Sequence, residues 1–379
     1  MRVLQATLRK PYADLSSLGP LSDMLPHLVL VFGSAPALQS AAESIRTLFK
    51  NAHRIGCSTA GEIFSRGVAD DSLVVTAIAF DSAHVVQVST PLAGMQDSFQ
   101  AGARLAGGLP QEDLKAILVF GQGVEINGSA MLMGMTSVVG ANMAITGGLA
   151  GDGGAFVQTW VLDDQGVSAN RLACVGLYGD KLCFTQGSYG GWSAFGPARK
   201  VTRSDHNVLY ELDGKPALSV YRRYLGDHAK GLPGSGLLFP FAMLASDQSE
   251  VGLTRTILGV DDAEGSLTLA GEIDPNGYLK LMHAGTDALV EGAETAALAA
   301  SADHVASREG LVLLVSCVGR KLVMGGRVEE EVEVVGEVFG PAATLAGFYS
   351  YGEIGPFGPD AQCRLHNQTM TVSYIAEKP

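Results

Sequence analysis

One local order recurs three times along the chain, and this repetition constrains the fold more than any other feature. Residues 28–33 (LVLVFG) and 116–121 (AILVFG) are continuous apolar runs ending in glycine. Such runs mark strands buried on both faces that lead into a turn. Behind the first, residues 36–50 place Leu38, Ala41, Ile45 and Leu48 at helical spacing, with Pro36 in the first turn. Behind the second, 128–139 reads as a helix. Each helix leads to a glycine-broken strand, 53–64 and 143–154. The third copy starts at 311–317 (LVLLVSC), continues through a helix at 328–338, and reaches Gly347. There, Gly347, Gly352, Glu353 and Ile354 repeat the spacing of Gly56, Gly61, Glu62 and Ile63. The order predicts an α/β fold: two domains of layered mixed β-sheets with flanking helices, built from internally duplicated strand–helix–strand units.

Gly, Pro and basic residues cluster at 188–205, where a domain boundary is expected. The predicted division is a domain over 1–190, a linker over 191–205 and a second domain over 206–379. In the second half, helices are expected at 216–225 and 285–301, a loop at 226–236, and strands at 237–244, 253–260, 266–273 and 278–282. A chain of 379 residues is long enough for two cores.

Composition excludes several function classes. Asp and Glu number 39 against 26 Lys and Arg, a net charge of −13, which disfavours nucleic acid and anionic membranes as partners. The longest apolar runs are strand length, far short of the ~20 residues of a spanning helix. The first residues carry no apolar signal core. Five cysteines, an odd number with no CxxC pair, argue against a disulfide scaffold or structural zinc and fit a reducing cytoplasm. The histidines show no metal-ligand spacing, and no metal site is expected. HExxH and the phosphate-loop motif GxxxxGK[ST] are absent, and no catalytic constellation is found.

Candidate binding residues fall at strand ends. Cys57, Ser58 and Thr59 offer small polar atoms between Gly56 and Gly61, either as a ligand-facing shelf or as a bulge around a buried thiol. Arg320, after a buried strand, needs an anionic partner. That partner is either a ligand carboxylate or an internal acid such as Glu353. Tyr349 and Tyr351 are expected on one strand face, with Glu353 beyond them and His366 and Asn367 at the head of a further strand. Arg320, Tyr351, Glu353 and Asn367 would together suit an α-amino acid, Arg320 taking the carboxylate and Glu353 the ammonium. The alternative of another class is a cysteine-dependent enzyme using Cys57 or Cys317 with His366.

The segments IGCSTAGEI (55–63), GGLAGDG (147–153), SCVGR (316–320), GFYSYGEIGP (347–356) and LHNQT (365–369) resemble FIST proteins. The resemblance spans 55–369 and implies a small-molecule sensory module with N- and C-terminal FIST domains, not an enzyme. Its expected ligands are amino acids or related metabolites. Its expected output is a separate partner, a histidine kinase or a diguanylate cyclase. Some standalone members resemble haem-binding nitric-oxide sensors, so haem is a possible cofactor, held axially by a His, Cys or Tyr.

Overall fold

The computed structural model describes residues 1–10, 12, 15–302, 309–357 and 362–378. The three sequence copies become three units around one core. In each, a central strand (Leu28–Gly33, Leu114–Gly121, Gly310–Cys317) passes through helix and returns as a parallel neighbour (His53–Ser58, Ala144–Leu149, Ala343–Ser350). The first two helices are Ala35–Leu48 and Gly128–Val139; the third copy uses Val318–Met324 and Glu330–Phe339. On its other side each central strand takes an antiparallel partner, Ser72–Ala79, Arg171–Tyr178 or Met370–Glu377.

The parallel register explains why a glycine recurs at the same place in each copy. Val31 stands beside Gly56, Val119 beside Gly147 and Leu314 beside Gly347. A Cβ on any of these glycines would lie 1.8–1.9 Å from the neighbouring carbonyl oxygen. Only glycine lets the strands approach this closely. Phe32, Phe120 and Phe348, one from each unit, meet in the centre with ring centroids 4.8, 5.4 and 5.7 Å apart.

After its returning strand each unit sends a hairpin into a neighbouring sheet. The hairpin of Glu62–Phe64 and Gly67–Ala69 joins Ala343–Ser350. That of Val161–Asp163 and Gly166–Ser168 joins His53–Ser58, and that of Gly352–Phe357 and Gln362–His366 joins Ala144–Leu149. The exchange is cyclic, and two of the three six-stranded sheets contain strands from both halves of the chain. Glu62 and Glu353 occupy equivalent places. Thr59 Oγ1 donates to Glu62 Oε1 (2.5 Å) and Ser350 Oγ to Glu353 Oε1 (2.6 Å). Ser72 and Thr369 each give a backbone and a hydroxyl hydrogen bond to the other oxygen.

The segment expected as a linker, 191–205, is over Ser193–Asp205 a long strand that pairs with Tyr278–His283 and Val208–Leu212. Its charged, mostly exposed residues hide it in the sequence: it is held by ladder hydrogen bonds more than by burial. It opens an eight-stranded antiparallel unit over 193–283 with its own core around Leu209, Tyr221 and Leu267. The expected loop 226–236 is largely helical, in the short turns Gly226–Gly231 and Gly234–Leu238. Among the described residues no helix is long and apolar enough to cross a membrane.

Candidate functional site

The residues picked from sequence are all buried, and most are fully engaged inside the core. Cys57 lies within the strand His53–Ser58 opposite Phe32, and burial pushes its thiol far above the ordinary range. Ser58 Oγ donates to Gly151 O (2.7 Å) and accepts from Trp160 N. With Thr59 bound to Glu62, this segment is interior scaffold and not a ligand-facing shelf.

Arg320 meets an acid, but a different one from the acid expected. It sits in the first turn of Val318–Met324, and its Nε and Nη2 donate to Glu331 Oε2 at 3.1 and 2.8 Å. Its remaining donors go to the carbonyls of Gly190 and Leu289. Both partners of this ion pair are fully buried. Glu331 also accepts from Ser316 and Tyr349. Glu353, expected across from Arg320, is instead held by Ser350 and Thr369. Burial raises its carboxyl to about 8 against those hydrogen bonds. The amino-acid clamp drawn from Arg320 and Glu353 is therefore not assembled.

Tyr349 and Tyr351 do not share a face, because the strand ends at Ser350. Tyr349 donates to Glu331, whereas Tyr351 donates to Asp152 and accepts from the amides of Gly154 and Phe156. His366 closes a strand with Nε2 3.3 Å from Gly355 O. Burial lowers its ring to about 4. Asn367 is also buried, and its Oδ1 meets no donor among the described residues. Burial and nearby Glu353 raise the Cys317 thiol well above the ordinary range. A cysteine nucleophile needs the opposite shift.

Open space lies elsewhere, along the seam between the core and the antiparallel unit. The helix Gly128–Val139 begins there. Its cap Asn127 accepts from Ala130 N and donates through Nδ2 to Glu272 Oε1 (2.9 Å), tying the two parts together. One cavity of about 430 Å3 is lined by Leu132 and Met133 of this helix, Cys363 to Leu365, and Leu253, Arg255, Glu272 and Asp274 of the antiparallel unit. A second, about 270 Å3, is lined by Tyr351 and Phe156, stacked at 4.0 Å, with Asn207 and 268–271 opposite. Leu365 lines both. Of the sequence candidates, Tyr351 alone lines either seam cavity.

The residue that sequence reasoning missed is Arg255. It is 4% exposed, yet it has no Asp or Glu within ion-pair distance among the described residues. Its Nε donates to Glu272 O (3.1 Å) and Nη1 to Thr254 O (3.2 Å), with Leu365 O at 3.5 Å. Burial, with Glu272 opposing from a distance, lowers the guanidinium to about 10, so it stays charged at neutral pH. A signal existed: Val251, Leu253 and Ile257 alternate, and Arg255 falls on the same period.

The seam cavities do not fit a haem. Neither is lined by a histidine. Apart from methionines, their other axial donors are a buried Cys363, whose thiol burial raises, and Tyr351, whose hydroxyl is bound to Asp152. Among the described residues no group of three or more His, Cys, Asp or Glu is placed to hold a metal ion.

A layered α/β core carrying a lateral antiparallel unit, with cavities at their seam, has the build of a ligand-binding module. The chain belongs to the FIST family: the FIST N domain matches residues 27–215 and the FIST C domain residues 217–356. FIST domains are sensory domains that bind small ligands in signalling. Two solved structures are similar over the whole length. One is cyanuric acid hydrolase from A. caulinodans, at 10% identity and a TM-score of 0.39, covering 100% of this chain and 99% of that one. The other is a cyanuric acid hydrolase described as an innovation by structural concatenation, at 10% identity and a TM-score of 0.35, with the same coverage. No curated protein sequence matches the chain.

Proposed function

We propose that this FIST protein is a cytoplasmic sensor that takes an amino acid or a related metabolite into the seam between core and antiparallel unit. The observation that carries this reading is the placement of two adjoining cavities where two separately cored parts meet. A ligand there touches both parts at once, so its binding energy can bias how they sit together. That change would be read by a partner carrying the output, a histidine kinase or a diguanylate cyclase. Tyr351 is the residue from the sequence reading that we carry into this site.

Thermal unfolding of the purified chain against a panel of amino acids, their deaminated and decarboxylated relatives, and unrelated sugars tests the reading. Saturable stabilisation by a member of the first groups, abolished when Leu365→Trp blocks the point shared by both cavities, is the expected result. Stabilisation by no small molecule, or stabilisation that survives the block, sinks it.

A further inference from the structure

We infer that the cavity of about 430 Å3 grips the carboxylate of a small aliphatic acid through the Arg255 guanidinium. The inference rests on reading the seam as the sensory site and names the chemistry that the site selects. The other two buried arginines of the described residues each hold a carboxylate: Arg54 pairs with Asp164 at 3.0 Å and Arg320 with Glu331 at 2.8 Å. Arg255 holds only carbonyl oxygens. Carbonyls satisfy donors but bring no counter-charge, Glu272 acts only from beyond ion-pair distance, and a buried cation without a paired anion is costly. Its Nη2 has no acceptor among the described residues, and the side chain lines the cavity.

The guanidinium is also held in place for this task. It packs flat against Gly271, where an added Cβ would come within 2.9 Å of Nε and 3.0 Å of Cζ. Leu132, Leu253 and Ile273 give the cavity an apolar part of its wall, which suits an unbranched or branched aliphatic body. Glu272, Asp274 and a second cation, Arg364, line the same cavity, and the two carboxylates let an ammonium substituent be tolerated next to the body. A planar carboxylate can take paired hydrogen bonds from a guanidinium, which a bare amine cannot.

Three compounds of one skeleton separate these chemistries: isocaproate, L-leucine and isoamylamine. By calorimetry, isocaproate and L-leucine are expected to bind and isoamylamine is not. Arg255→Gln should weaken isocaproate binding about 30-fold or more, the loss of one partner of a buried charged pair. Gly271→Val keeps the charge but displaces the guanidinium, and it should produce the same loss. It decides the matter if Arg255→Gln does not fold. Isoamylamine binding as well as isocaproate, or unchanged affinity in a folded variant, overturns the anion anchor and leaves the sensor reading standing. No binding of either acid, with stabilisation by another metabolite, does the same. No stabilisation by any compound removes both.

Discussion

Arg320 and Arg255 are both buried arginines at the edge of a packed layer, and their surroundings differ in one respect. Arg320 has a buried carboxylate, Glu331, and two backbone carbonyls. Arg255 has backbone carbonyls alone and faces a cavity. A completed charge pair is a piece of scaffold, because the protein itself supplies the counterion. An uncompensated cation is kept at a cost to the fold, and the open side shows where compensation comes from. Charge bookkeeping thus separates the two residues where residue type does not.

The largest test of this contrast is truncation of each arginine in turn. Arg320→Ala strands Glu331 in the core and should cost about 3–5 kcal/mol. Arg255→Gln, which leaves no buried anion behind, should cost about 1 kcal/mol, the scale of one ordinary hydrogen bond. Urea denaturation of both variants without ligand measures the difference. Equal losses would mean that Arg255 is as structural as Arg320.

Next in size are the strand-contact glycines that align the three units. Gly56→Ala and Gly347→Ala force the parallel strands apart and should each cost about 1–3 kcal/mol. Gly147→Ala should cost more, because its φ of +138° adds backbone strain to the same clash. Thermal unfolding of the three variants ranks them. A harmless substitution at any one would break the equivalence of the units.

Glu353 sharpens the comparison through pH. Its folded value, about 8, lies above the ordinary 4.5. The folded state therefore holds the proton more tightly than the unfolded state does. The stabilisation is complete below about pH 4.5 and is lost as pH rises toward 8. Glu353→Gln should flatten this slope in urea midpoints across that range. An unchanged slope assigns it to other groups.

The repeated units were legible because each depends on local signals: an apolar run, a glycine and a helical stripe. The helix expected at 128–139 forms as Gly128–Val139, and that at 285–301 as Thr286–Ala300. The cyclic exchange of hairpins was not legible, since it depends on which sheet edge a short strand reaches in space. For the same reason sequence could show that Arg320 needed an acid without showing that Glu331 supplies it. Arg255 lies on an alternating strand whose Val251 and Leu253 pack on the antiparallel unit's own core. Its meaning arises only where two distant parts of the chain meet.

The smallest expected effect concerns the two seam cavities themselves. Tyr351 lines the smaller cavity, and its hydroxyl joins the Asp152 carboxylate to the amides of Gly154 and Phe156. Removing that oxygen in Tyr351→Phe keeps the ring stacked on Phe156 but frees the turn after Asp152. The loss should be about 1 kcal/mol, because solvent and Asp152 can take over part of the bonding. Asp152 also accepts from the amides of Phe156, Val157 and Gln158, so the turn keeps an anchor. Arg255 makes none of these bonds, and its cavity shares only Leu365 with the smaller one. Isocaproate affinity should therefore stay within about twofold of the unaltered protein, well below the tenfold step of 1.4 kcal/mol. A tenfold fall in this variant would show that the cavities act as one site, with Leu365 passing the change between them.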